Sequence, residues 1–261
     1  MLLKQNVLSK EIVAGKASGG ANTSHTIVVP ALTALLAAVP HDAPASEYQR
    51  AAIEANALGK ATEGGRRRTY RYVRELYLLD PRSILFRALR DLWSDDVEAQ
   101  PLLAGLCSLT RDSVFWASSS AITSTSPGDE LTSEDLAAAV GERFPDSYGA
   151  ATLAKIGRNT FSSWEQTRHL ERGDRKRKRR TRAAVGPANL AYALLLGYLQ
   201  GIRGGALFDT LWAKVLDAPK SHLLDLAFGA AQRGLIEFRQ AGGVIDVGFN
   251  ELLRPFEDQL L

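Results

Sequence analysis

The apolar positions of this chain recur mainly at helical spacing, which predicts a mainly α-helical protein. Tyr70, Val73 and Tyr77 follow three- and four-residue steps, and a second helix of the same period continues beyond Asp80–Pro81 to residue 93. Proline suits the first turn of a helix and disfavours helical backbone in the residue before it, so the boundary falls there. Further apolar segments predict a helix or strand–helix over 27–39, an alanine-rich helix over 46–60, a long buried helix over 100–122 and a core helix over 188–199.

Residues 130–185 follow the outline of a winged helix, in which two helices precede a hairpin. Thr132 or Ser133 caps a first helix that runs to Phe144. A turn at Pro145 leads into a longer helix over 148–169, and a very basic stretch follows Gly173.

The C-terminal part has a similar outline. Helices predicted over 206–216 and 217–233 precede two strands, over 235–240 and 244–249, which a glycine turn joins. We therefore predict three domains: a helical N-terminal domain over 1–125, a winged-helix-like module with a basic wing or arm over 126–185, and a second winged-helix-like module over 186–261.

Charge is distributed unevenly, although the whole chain of 261 residues carries only +3. Residues 155–182 contain eleven basic and three acidic side chains, a net charge of +8, so the remainder carries −5. A cationic segment in an otherwise acidic chain indicates a polyanionic partner. We expect this partner to be double-stranded DNA, with RNA or an acidic protein as the alternatives.

The predicted helix over 148–169 has one apolar and one polar side. Leu153, Ile156 and Trp164 fall on the side expected to pack inward. The opposite side combines short hydrogen-bonding groups with cations, which is what a helix in the major groove requires. The DNA-binding residues predicted on this helix are Thr152, Lys155, Arg158, Asn159, Ser162, Ser163, Gln166 and Arg168. A solvated helix face without a ligand is the alternative interpretation.

A run of consecutive cations follows this helix. It consists of Arg175, Lys176, Arg177, Lys178, Arg179 and Arg180, with Arg182 close behind. Such a run is not expected to find partners inside a folded core, and on a surface it repels itself unless a polyanion is present. As a wing or an arm it would lie along the phosphate backbone. A solubilising loop and a nuclear-import signal are the alternatives.

A second basic site, between residues 66 and 74, contains five arginines. Two of them are Arg66 and Arg68, and the other three share a helix face. These three are Arg67, Arg71 and Arg74, at positions i, i+4 and i+7. They are predicted to hold phosphate or, alternatively, to pair with neighbouring acids. The C-terminal module has mixed charges on its second helix, so protein contact or homodimerisation is as good an interpretation there as DNA binding.

Signatures of enzymes, metals and cofactors are weak, and we expect none of the three. The histidines (His25, His41, His169, His222) are not at metal-ligand spacing with another ligand type. Gly15–Lys16 lacks the first glycine and the final Ser or Thr of a phosphate-binding loop. The single cysteine, Cys107, is consistent with a reducing cytoplasm, and the longest apolar run is too short to span a bilayer.

Four segments of the central region resemble the BrxA proteins of BREX bacteriophage-exclusion systems. They are RRRTYRYVRELYLLDP (66–81), QPLLAGLCSL (100–109), LTSEDLAAAV (131–140) and SYGAATLAKIGRNTFSSWEQTRHLERG (147–173). In that family a helical part is likewise followed by a winged-helix-like part. The N-terminal segment, the basic run and the C-terminal module depart from the family pattern.

The resemblance implies a non-enzymatic, DNA-binding accessory protein of a prokaryotic anti-phage defence system. Its polar recognition face would fall on Thr152, Lys155 and Asn159, and no catalytic residue would be inherited. Other defence proteins, such as a methyltransferase or an ATPase, are the implied protein partners. A transcription regulator and a protein- or RNA-binding scaffold are the alternative functions.

Overall fold

A computed structural model describes residues 11–15, 19–173 and 176–257. The helices are α1 (Val29–Ala38), α2 (Ala45–Ile53), α3 (Glu63–Tyr77), α4 (Ile84–Leu92), α5 (Gln100–Arg111), α6 (Ser113–Ser124), α7 (Ser133–Arg143), α8 (Ala150–Gln166), α9 (Pro187–Leu199), α10 (Leu211–Val215), α11 (Lys220–Gln232) and α12 (Asn250–Glu257). The expected mainly α-helical class is confirmed.

The strands form two small antiparallel sheets. The first has the order β1–β3–β2 and contains β1 (Glu130–Thr132), β2 (Leu170–Arg172) and β3 (Arg177–Arg180). The second pairs β4 (Glu237–Ala241) with β5 (Val244–Gly248) around a turn in which Gly242 and Gly243 both have positive φ. The hairpin predicted after residue 234 is therefore confirmed.

Helix α9 lies at the centre of the hydrophobic core. Its residues from Ala188 to Gly197 are buried all round, as its continuous apolar sequence predicts, and it packs against α4, α5, α10 and α11. The larger of two core clusters has members from Ile12 to Leu252 and so crosses both predicted domain boundaries. None of the helices within the described ranges combines the length and the apolarity of a membrane span.

The long helix predicted over 100–122 is wrong, since two helices meet at Asp112. This residue has extended backbone and its carboxylate accepts a hydrogen bond from the Phe115 amide at 2.8 Å, which starts α6. The other carboxylate oxygen accepts from the main-chain and side-chain nitrogens of Asn22, at 2.7 and 2.9 Å. Burial nevertheless raises the pKa of Asp112. A capping side chain thus interrupts an apolar period that would otherwise continue.

Candidate nucleic-acid interface

Helices α7 and α8 form the centre of the candidate interface. The Thr132 side chain accepts from the Asp135 amide while the Asp135 carboxylate accepts from the Thr132 amide, a reciprocal cap that begins α7. The two helices approach closely at Gly157, where a Cβ would overlap the carbonyl oxygen of Ser133. The absence of a side chain there fixes how α8 sits on α7, and with it the side of α8 that faces solvent.

The exposed side of α8 carries an unbroken stripe that we call the outer stripe: Ala151, Lys155, Arg158 and Ser162. These positions are spaced i, i+4, i+7 and i+11, so they lie one above another on the helix surface. Lys155 and Arg158 are exposed, and neither has an ion-pair partner among the described residues. Thr152 is exposed beside the stripe, and Arg168 is exposed just after the helix, with a positive φ of 68°.

The predicted polar face of α8 is wrong on one flank, because the segment 20–29 packs against it. Asn159 donates its side-chain amide to the carbonyl oxygen of Asn22 at 2.9 Å. Ser163 is fully buried and donates to the side-chain oxygen of Asn22 at 2.7 Å. Gln166 accepts from the main-chain amide of Val29 at 2.9 Å. These three polar groups hold the N-terminal segment in place, a contact that helical periodicity has no means of predicting.

The expectation that the basic run stays unpaired is also wrong, because part of it forms β3 and its side chains alternate between the two sheet faces. The outward residues Arg177 and Arg179 pair with acids on the neighbouring strands, Glu130 at 3.0 Å and Glu171. Both pairs are solvent-exposed, so each contributes little to stability.

The inward residues of β3 are Lys178 and Arg180. Lys178 pairs with Glu165 of α8 at 2.8 Å and lies 4.0 Å from the ring centroid of Phe161. Arg180 is only 2% exposed; it pairs with Asp217 at 3.0 Å and donates to the carbonyl oxygen of Ile122 at 3.0 Å. These two cations tie β3 to α8 and to the turn between α10 and α11, and neither faces solvent.

The remaining members of the predicted basic wing have different positions. Lys176 and Arg182 are both exposed, and the Arg182 guanidinium lies 3.8 Å from the Asp217 carboxylate. Arg175 lies outside the described residues.

On α3, the predicted basic site is present on the surface. Arg67, Arg68, Arg71 and Arg74 are exposed, and Arg66 is half-buried. Arg67 pairs with Glu63 at 2.6 Å, as the alternative interpretation had it, whereas the Arg71 guanidinium lies 5.4 Å from the ring centroid of Tyr72.

His169 is a structural residue that sequence reasoning did not distinguish from the other histidines. It is fully buried; its Nε2 lies 2.8 Å from the Val215 carbonyl oxygen and its Nδ1 lies 2.8 Å from the Thr167 hydroxyl. Because a carbonyl only accepts, Nε2 carries the proton and the hydroxyl donates to Nδ1. Burial lowers the pKa of His169 to about 4, so the neutral ring joins the end of α8 to α10.

Comparisons with protein-family models, with curated proteins and with solved structures found no match. Within the described part of the chain, no group of three or more His, Cys, Asp or Glu side chains is arranged to hold a metal ion. The functional interpretation therefore depends on the geometry of α8 and its surroundings.

Proposed function

We propose that this protein binds double-stranded DNA through the outer stripe of α8 and does not catalyse a reaction on it. The observation that carries the proposal is the pair of exposed cations Lys155 and Arg158, which have no acidic partner among the described residues. Small neighbours at Ala151 and Ser162 leave the helix surface open to a close approach. A major groove about 12 Å wide admits a helix of this kind, with cations meeting phosphates and short polar groups meeting base edges.

The order of elements around α8 supports a winged-helix arrangement. The elements follow in the order α6, β1, α7, α8, β2 and β3, and β1 pairs with β3 in the sheet. In helix-turn-helix proteins, the second helix of the pair is the one that enters the major groove, and here that helix is α8. The β2–β3 hairpin then takes the position of a wing, and its outward residues Arg177 and Arg179 are placed to contact the adjacent backbone.

A comparison with the C-terminal module supports the choice of α8 as the DNA-contacting helix. It has a similar order of elements, with a 3-10 turn over Gly204–Asp209 lying against β5 where the first module has β1. Counted from the first residue of each helix, the positions of α11 that correspond to the outer stripe of α8 are Ser221, Asp225, Phe228 and Gln232. Asp225 thus replaces Lys155, and a 48% exposed Phe228 replaces Arg158. An acid and an exposed ring suit a protein contact better than phosphate, so α11 is left out of the proposed DNA surface.

The biological role proposed for this binding is that of an accessory component of an anti-phage defence system, which rests on the resemblance to BrxA proteins. The competing roles are a transcription regulator, which would use the same surface, and a scaffold that binds RNA or protein through the basic residues.

Fluorescence anisotropy with labelled duplex DNA, single-stranded DNA and RNA, each at two salt concentrations, tests the proposal. The Lys155→Ala/Arg158→Ala variant should bind duplex DNA at least about tenfold more weakly, and the salt slope should fall by about 1.8 if each cation neutralises one phosphate. A charge-matched control, Lys60→Ala/Arg82→Ala, removes one lysine and one arginine from exposed sites away from α8 and should bind like the parent. Absence of duplex binding at low salt, or equal losses in both variants, would rule the proposal out.

A further inference from the structure

We infer that the DNA-binding surface continues from α8, across the segment 20–28, onto one flank of α3. This inference rests on the proposed function and adds a second contact with the same duplex. Two direct contacts connect the elements: Asn159 of α8 donates to the Asn22 carbonyl oxygen at 2.9 Å, and the His25 ring stacks on Tyr72 of α3 with centroids 3.5 Å apart.

The connecting segment is held firmly and carries no negative charge. Tyr77 of α3 donates its hydroxyl to the carbonyl oxygen of Ile27 at 2.6 Å, and Ser163 of α8 lies 3.2 Å from the Ile27 amide. The segment from Gly20 to Val28 contains no Asp or Glu, and Ser24 at its middle is exposed. A phosphate backbone passing from α8 to α3 therefore meets hydroxyl and imidazole groups, and the Asp112 carboxylate that binds Asn22 lies buried beneath them.

The flank of α3 beside Tyr72 is cationic. At about 100° per residue, Arg68 lies about 40° around the helix from Tyr72. Arg71 shares a face with Arg67 and Arg74, but its guanidinium lies 5.4 Å from the Tyr72 ring centroid, whereas Arg67 and Arg74 lie about 140° and 160° around the helix from Tyr72. Arg68 and Arg71 have no ion-pair partner among the described residues, while Arg67 is engaged by Glu63. Glu75 is the acid on the Tyr72 flank, so two arginines face one carboxylate and the flank keeps a positive charge.

The two contacts are close enough together for a single duplex to span them. Three residues, from Asn22 to His25, span at most about 10 Å, and the contacts at each end extend the path to no more than roughly 20 Å. This corresponds to about six base pairs at 3.4 Å per step. One duplex longer than this can therefore contact α8 and the Tyr72 flank of α3 at the same time.

The test compares two arginine pairs on the same helix. On a 24-base-pair duplex, Arg68→Ala/Arg71→Ala should bind at least about fivefold more weakly than the parent and lower the salt slope by about 1.8. Arg67→Ala/Arg74→Ala removes the same charge from positions farther around the helix from Tyr72, and its affinity for this duplex should fall less. Alanine keeps the helix favourable, and circular dichroism verifies that each variant is folded.

The outcomes separate this inference from the proposed function. If the parent binds duplex DNA and Lys155→Ala/Arg158→Ala weakens binding, but Arg68→Ala/Arg71→Ala binds the long duplex like the parent, the extension onto α3 is wrong and α8 alone binds. Equal losses in the two arginine pairs would also overturn it, because the effect would then reflect net charge and not the Tyr72 flank. If the parent does not bind duplex DNA at all, the proposed function itself fails.

Discussion

Replacement of Arg180 by methionine should destabilise the protein strongly, whereas the same change at the adjacent Arg179 should not. The two residues are consecutive in β3, and their side chains lie on opposite faces. The Arg180 side chain is 2% exposed and pairs with Asp217 at 3.0 Å, while Arg179 is 63% exposed and pairs with Glu171 at the surface. Methionine keeps the apolar stem in both cases, so the difference isolates the buried charge.

The expected loss in the free energy of unfolding follows from the groups that lose their partner in Arg180→Met. Breaking a buried ion pair by removing one partner costs about 3–5 kcal/mol. Asp217 is 23% exposed and keeps a 3.8 Å contact with Arg182, so the lower end of that range, about 3 kcal/mol, is expected for Arg180→Met. The Ile122 carbonyl also loses its 3.0 Å donor. For Arg179→Met, the loss of an exposed pair predicts less than about 1 kcal/mol.

Urea unfolding followed by circular dichroism measures both free energies of unfolding under one set of conditions. Asp217→Asn is the reciprocal variant and should also destabilise, because it leaves the buried guanidinium unpaired. Losses of similar size in Arg179→Met and Arg180→Met would refute the inward orientation of Arg180, and so the assignment of β3. DNA binding of the two variants provides a second readout: Arg179→Met should weaken it, since Arg179 is on the side of the proposed wing that faces solvent.

Two further predictions concern the packing of α8. Gly157→Ala should lower the free energy of unfolding by about 2–3 kcal/mol, because the new Cβ overlaps the Ser133 carbonyl oxygen. In the same urea titration, Gly64→Ala at an exposed position in the first turn of α3 should be neutral or stabilising by up to about 1 kcal/mol. His169 is neutral in the fold with a pKa of about 4, against an ordinary value of 6.5. As the pH falls, the imidazole of the unfolded chain therefore takes up a proton before that of the folded protein does. The contribution of neutral His169 to the free energy of unfolding is fully present above pH 6.5 and should decrease by up to about 3 kcal/mol as the pH falls to 4. Unfolding of His169→Gln across the same pH range should lack this component; an unchanged slope would mean that another group causes it.

Several elements were predictable because their causes are local. The apolar run of α9 has no polar face, so burial on all sides was the only stable arrangement. The Thr132 cap and the paired glycines of the β4–β5 turn require particular backbone geometry that their residue types supply. The break at Asp112 was not predictable in this way, because the apolar period continues through it and only the contact with Asn22 makes a buried cap favourable.

The candidate site divides in the same manner. Lys155 and Arg158 could be placed on the outside of α8 from periodicity alone, and both are exposed. Ser163 and Asn159 belong to the same polar set by sequence, yet the segment 20–29 covers them, and no short-range pattern links residues that are more than a hundred positions apart. His25 and Tyr72 were likewise not singled out, since their importance lies in a contact between two distant elements.

The sequence by itself determined the helical class, the positions of most helices and the concentration of positive charge between residues 155 and 182, since each depends on neighbours along the chain. Only the tertiary structure decided what that charge can do. It placed Lys178 and Arg180 on the inner face of β3 against Glu165 and Asp217, and left Lys155 and Arg158 open to solvent. The physical reason is that a charge count is local, whereas exposure and pairing depend on which surfaces the fold brings together.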